Sequence, residues 1–89
     1  MLINIGYNNF VSSSLVAVIL KAESSHVKKI RQDAMEKGLL INATSGHKTR
    51  SVIVLTTGQV VLSSLQTTTF KARAKAVKKD NVIKEDSPY

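Results

Sequence analysis

Cysteine and tryptophan are absent, proline occurs once, and glycine only four times in 89 residues. Without cysteine, neither a disulfide framework nor a thiolate metal site can supplement the core. That absence fits a reducing compartment. Aromatic residues make up 4% of the chain, so a core must come from Val, Ile, Leu and Ala within the 43% of hydrophobic residues. A short chain with such a core has limited stability alone and gains from assembly into an oligomer. Acid is scarce as well: 6 Asp+Glu stand against 13 Lys+Arg, a formal charge of +7. Such an excess favours polyanions, nucleic acid first and an anionic membrane surface second, while solubility is the plainer explanation. Long apolar runs are missing too. The longest, Leu15 to Leu20, is far too short to span a bilayer. Met1 leads into "LINIGY" with neither a basic start nor a small-residue cleavage site, so no signal peptide is expected and a cytoplasmic location is.

Turn and strand signals dominate what is present. "LINI" (2–5) reads as a strand, "GYNN" (6–9) as a turn, and "FVSSSLVAVILK" (10–21) as containing a second strand. Its apolar stretch from Leu15 to Leu20 predicts cover on both faces by sheet, helix or a neighbouring subunit, and Phe10 is expected in the core. The period then changes. In "ESSHVKKIRQDAMEKG" (23–38), Val27, Ile30 and Ala34 share one helical face, with Lys28, Lys29, Gln32 and Glu36 opposite and Arg31 at the border. Ser24 or Ser25 is placed to cap the start, Gly38 to end the helix in a left-handed conformation, and Lys29 to pair with Asp33.

"LLINAT" (39–44), "SVIVLT" (51–56) and "VVLSSL" (60–65) are β-prone. "TTGQ" (56–59) predicts a tight hairpin between the last two, and "SGHKTR" a second antiparallel hairpin between the first two. A three-stranded meander results, with one basic loop and one neutral. Thr67 to Asp80 then reads as a helix carrying Phe70, Ala74 and Val77 on one face and Lys71, Lys75 and Lys78 on another. Five basic residues and no acid lie between positions 71 and 79. Residues 81–89 are expected to fray.

The pattern argues against catalysis. His26 and His47 lie in different elements, neither with an acid or thiol at relay spacing. Ser12–Ser14 lacks a strand–turn–helix nucleophile setting, and the scattered glycines make no phosphate-cradling loop. No enzyme activity, metal, cofactor or small-molecule substrate is expected.

The basic loop is the better lead. In an extended backbone, Lys48 and Arg50 project on the same side, Thr49 adds a hydroxyl, and Gly46 allows close approach of a ligand. A guanidinium fork and a compact ammonium suit phosphate oxygens, and His47 adds a donor. An exposed turn whose charges face water explains the same residues. The helix stripe reads more simply as a solvated face, with Lys28 and Lys29 also facing solvent. A lipid-docking role lacks bulky apolar residues opposite the lysines. RNA binding fits the charge but lacks aromatic stacking platforms.

"INIG" (3–6), "RQDAMEKGLLINAT" (31–44), "GHKTR" (46–50) with "SVIVL", and "VVLSSLQ" (60–66) together resemble the RemA family of bacterial extracellular-matrix regulatory proteins. The likeness runs without a gap from about Ile3 to Gln66. It implies a cytoplasmic double-stranded-DNA-binding regulator that assembles into ring homo-oligomers, with a fold akin to LytTR-type domains and no membrane partner. The family loop reads Gly-Arg-(Arg/Lys)-Thr-Arg and binds DNA. Carried over, it makes His47, Lys48, Thr49 and Arg50 the DNA-binding set, with His47 in place of an arginine. A further family arginine falls on Leu15, following Ser14, and a proline falls on His26. Ser14, Lys28, Lys71, Lys75 and Lys78 are auxiliary candidates. The expected fold class is α+β: a small β-rich domain ordered β-β-α-β-β-β, followed by a basic C-terminal helix. Residues 1–66 form the oligomerising domain, 67–80 the basic helix and 81–89 a flexible tail. The alternative function is a ring-forming interaction protein whose DNA binding has weakened or gone with the arginines.

Overall fold

The three consecutive serines decide the start of the fold. Serine favours local turns over strand ladders, and Ser13–Leu15 forms a single 3₁₀ turn that splits the expected second strand in two. Three strands therefore precede the first helix rather than two: β1 (Leu2–Gly6), β2 (Asn9–Ser12) and β3 (Val16–Lys21). Then come α1 (Val27–Glu36), β4 (Leu40–Asn42), β5 (Ser51–Leu55), β6 (Val60–Ser63) and α2 (Thr67–Lys78). This computed structural model describes residues 1–78, with side chains as far as residue 72. The expected tail at 81–89 lies outside the described residues.

β1 and β2 form an antiparallel hairpin, turned at Tyr7 and Asn8, whose φ angles of 53° and 62° are both left-handed. The remaining strands form a mixed sheet in the order β3-β5-β6-β4. β5 pairs antiparallel with both β3 and β6, while β4 pairs parallel with β6. The expected meander is thus corrected. "TTGQ" does close a hairpin between β5 and β6, with the Leu55 amide donating to Gln59 and Gly58 to Leu55. "SGHKTR" instead belongs to a connection that passes the end of β6. The reason is the helix before it. β3 and β4 run parallel to each other on opposite edges, and α1 is the crossover that parallel strands require.

That crossover lays α1 across one face of the sheet. Val27 and Ala34 of α1 are buried with Val52, Val60 and Leu62, joined by the partly buried Ile30. Alternate residues point to the other face. There Ile53, Leu55 and Val61 pack with Ile5 and Val11 of the hairpin, Ala43 and Phe70 of α2. The central strands thus read as continuous apolar runs because both faces are covered.

α1 closes as foreseen: Gly38 has φ 71°, its amide donates to Met35, and the Leu39 amide donates to Ala34. This pair of bonds is the Schellman ending. Lys29 Nζ lies 3.8 Å from Asp33 Oδ2. The start differs, because His26, not a serine, occupies the N-cap and no side chain caps the helix. Two core assignments also change. Phe10 is 52% exposed, and no residue of β3 is fully buried, Val18 being 41% exposed. As an edge strand β3 is covered only in part: Val16 and Ile19 pack on one core and Leu20 on the other, while Ala17 and Val18 stay exposed. Phe10, Leu15 and Ile41, all exposed, instead rim an apolar groove of about 310 Å³ with no charged residue in its lining.

Candidate functional site

The mixed sheet sends one set of strand ends to one place. β3, β4 and β6 run parallel, so Lys21 at the end of β3, the connection after β4 and Gln66 after β6 all emerge at the same end of the sheet. β5 begins there. Segments far apart in sequence therefore converge on an open cleft of about 650 Å³. Its lining includes Lys21, Arg31, Lys48, Thr49, Arg50 and the start of α2 at Thr67 and Thr68, with Glu23 the sole acid.

The connection is built rather than slack. Asn42 Oδ1 accepts from the Thr44 amide at 3.0 Å and from Thr44 Oγ1 at 2.7 Å. Ser45 and Gly46 both take positive φ, 52° and 83°, and the His47 amide donates to Thr44 at 2.9 Å. These are the signs of a type I′ turn, at which glycine avoids the left-handed penalty. The far end is fixed by two strands: the Arg50 amide donates to Ser63 at 2.9 Å, and its carbonyl accepts from Ala22 at 3.1 Å. Arg50 is thus anchored by its backbone while its side chain stays exposed.

His47 leaves this group. Its ring stacks on Tyr7 with centroids 4.7 Å apart and planes at 18°. Its Nδ1 lies 3.3 Å from the Thr44 carbonyl oxygen. The hairpin tip therefore grips the basic connection one residue before Lys48.

None of the four cleft cations forms an ion pair or hydrogen bond through its side chain with the described residues; Lys29–Asp33, the ion pair among the described residues, lies outside the cleft. Arg31 is partly buried as a residue and lines the cleft with no carboxylate paired to it among the described residues. Chemically the cleft offers two guanidinium forks, two ammonium groups and several hydroxyls. Such a set is chemically suited to an anion with oxygen acceptors. No group of acidic or histidine side chains suited to a metal occurs among the described residues.

Residues 2–74 match the RemA-like family, described as extracellular matrix regulatory protein A-like. The chain belongs to this family. Its relatives carry the name "Putative regulatory protein". One from Maridesulfovibrio salexigens is 46% identical over 72 residues, 81% of this chain and 84% of its own. Another, from Geobacillus thermodenitrificans, is 46% identical over 71 residues, 80% and 82% of the two chains. A third, from Clostridium perfringens strain SM101, is 41% identical over 85 residues, 96% and 93%. These names are those of regulators rather than enzymes, and a regulatory role for the chain follows.

In this RemA-like chain, the basic loop is divided. Lys48, Thr49 and Arg50 line the cleft and His47 does not. Ser14 lies in the 3₁₀ turn, its Oγ 2.9 Å from Ser12 Oγ, and Lys28 is exposed on α1; neither lines the cleft. Lys71 is exposed on α2, outside the lining, and Lys75 and Lys78 belong to α2 with side chains outside the described residues. Leu15, where the family arginine would fall, lines the apolar groove. Sequence reasoning missed Lys21 and Arg31. The available signal was topological: a helix between β3 and β4 implies parallel strands, whose C-terminal ends lie at one end of the sheet. Among the described residues, no helix is long and apolar enough to cross a membrane.

Proposed function

We propose that this chain is a DNA-binding regulator that forms ring homo-oligomers and meets DNA phosphates through the basic connection repeated on every subunit. The observation that carries this reading is the placement of Lys48 and Arg50, without an ion pair among the described residues, on one cleft over a hydrogen-bonded backbone. Two or three phosphate contacts bind weakly alone, and such binding is essentially electrostatic. A closed array multiplies them at high effective concentration, and a curved one suits bent DNA. The uncharged groove rimmed by Phe10, Leu15 and Ile41 supplies apolar surface for subunit contact. Being free of charge and sharing no residue with the cleft, it lets like-charged copies approach. Arg50 is the best candidate for a base edge and Lys48 neutralises charge, so sequence preference is weak. The fold reading that accompanies this function is a LytTR-like one.

The second reading, an interaction protein with DNA binding lost, is favoured by the stacking of His47 on Tyr7. That contact gives the position a structural use without a charge. One titration separates the two. Labelled duplex is followed by anisotropy, with particle mass measured in parallel. Lys48→Ala with Arg50→Ala removes two charge-assisted contacts worth about 1.5–3 kcal/mol each, a loss of roughly a hundredfold or more. The mass should not change. His47→Arg should tighten binding in a DNA-binding protein and do little in a protein-binding one. Unchanged affinity in the double variant would remove the loop from the mechanism.

A further inference from the structure

We propose that Lys21 and Arg31 are phosphate-binding residues that, with Lys48 and Arg50, make the whole cleft one anion site for a stretch of nucleic-acid backbone. The inference rests on the DNA-binding reading and deepens it, moving the contact from a loop tip to a walled receptor.

Three observations carry it. The cleft draws cations from three separate elements: the end of β3, α1 and the β4–β5 connection. Like charges gathered in one concavity repel, and such an arrangement is tolerable when an anion occupies it. α1 then shows that the convergence is selective. Lys28 and Lys29 project to solvent, Lys29 beside Asp33, whereas Arg31 on the same helix turns into the cleft, partly buried and without a carboxylate among the described residues. A guanidinium that lines a cleft with no carboxylate paired to it among the described residues is placed to take an oxyanion ligand. Finally, Glu23 is the one acid in the lining, and α2 adds Thr67 and Thr68 with a first turn that carries no acidic residue. The opening amides of a helix have no carbonyl partner within it, and they reinforce the same sign of field.

Phosphate is the oxyanion that uses this set. Arg31 and Arg50 each offer a fork to two oxygens, Lys21 and Lys48 offer point charges, and the threonine hydroxyls donate singly. The chemistry is shared by a duplex backbone and by free phosphorylated compounds, and the experiment separates them.

Lys21→Gln, Arg31→Gln and Arg31→Lys are compared with wild type by duplex titration across a salt series, with melting temperature and particle mass recorded for each. Each Gln variant should flatten the plot of log affinity against log salt by about 0.9, and the pair by about 1.8. Arg31→Lys should restore the slope while binding more weakly than wild type, since charge returns without the fork. Melting temperature and mass should hold. Wild-type slope in both Gln variants, with binding abolished by Lys48→Ala and Arg50→Ala, would overturn this inference and leave the loop reading standing. If wild type binds no duplex, the DNA reading fails, and inorganic pyrophosphate becomes the probe. Binding of pyrophosphate that the Lys21→Gln, Arg31→Gln pair abolishes would support the anion site; none would overturn it.

Discussion

Tyr7 offers a test in which the usual ranking of two residues reverses. It sits at the tip of the β1–β2 hairpin with φ 53°, half exposed, its ring stacked on His47. A residue with a Cβ loses about 1–2 kcal/mol in this conformation. The ring offsets that loss. About half of the roughly 150–250 Å² that an aromatic side chain can bury is covered here, an upper bound of about 2.5 kcal/mol. Tyr7→Ala deletes the ring and keeps the backbone penalty. Tyr7→Gly deletes the same ring and releases the penalty, losing only about 0.4–1 kcal/mol to the freer unfolded chain. Glycine should therefore be more stable than alanine by about 0.5–1 kcal/mol, with tyrosine above both. Elsewhere in a strand or helix the order runs the other way. Urea unfolding at matched slope measures it. A double-mutant cycle with His47→Ala should return a coupling of about 0.5–1.5 kcal/mol for the stack. Alanine equal to or better than glycine would show that the tip is not held left-handed, and a coupling of zero would dissolve the grip on the basic connection.

Ser51 and Ser63 face each other across β5 and β6, both fully buried, yet they should respond oppositely to alanine. Ser63 Oγ donates to the Ile5 carbonyl at 2.8 Å and accepts from the Leu65 amide at 3.1 Å, so Ser63→Ala should cost about 1–3 kcal/mol. Ser51 Oγ has no partner among the described residues, and Ser51→Ala should be neutral or stabilising by up to about 1 kcal/mol in thermal unfolding. Equal losses at the two positions would contradict the hydrogen bonding described. Phe70, 6% exposed, ties α2 to the sheet, so Phe70→Ala should cost about 3–5 kcal/mol and weaken duplex binding with it, since α2 forms one wall of the cleft. Full stability in that variant would mean the helix is not docked.

Local signals carried well where the chemistry was local. The α1 face, the left-handed Gly38 and the Thr56–Gln59 turn all depend on neighbours within a few residues, and each appears as its residues suggest. What failed were inferences about which strand lies beside which. Apolar runs at 39–44 and 51–56 look like a hairpin, because nothing in either reports that β6 will lie between them. Phe10 and the run from Leu15 to Leu20 misled in a second way. Hydrophobicity shows that a side chain avoids water, not what covers it: Val16, Ile19 and Leu20 pack partly on the two cores, whereas Phe10, Leu15 and Val18 stay exposed. Lys48 and Arg50 were visible as a cluster because they are close in sequence. Lys21 and Arg31 were not, since they join that cluster only through the direction of the strands.

The distance in sequence between the cleft's walls has a consequence during synthesis. Its contributors run from Lys21 to Thr68, so a ribosome must release nearly the whole described chain before the receptor can close. A nascent chain exposing Lys21 and Arg31 carries their charge without their geometry, and under the proposed anion site it holds polyanions only loosely. On the proposed function, release of a finished domain, rather than translation of the basic stretch, is the moment at which gripping begins.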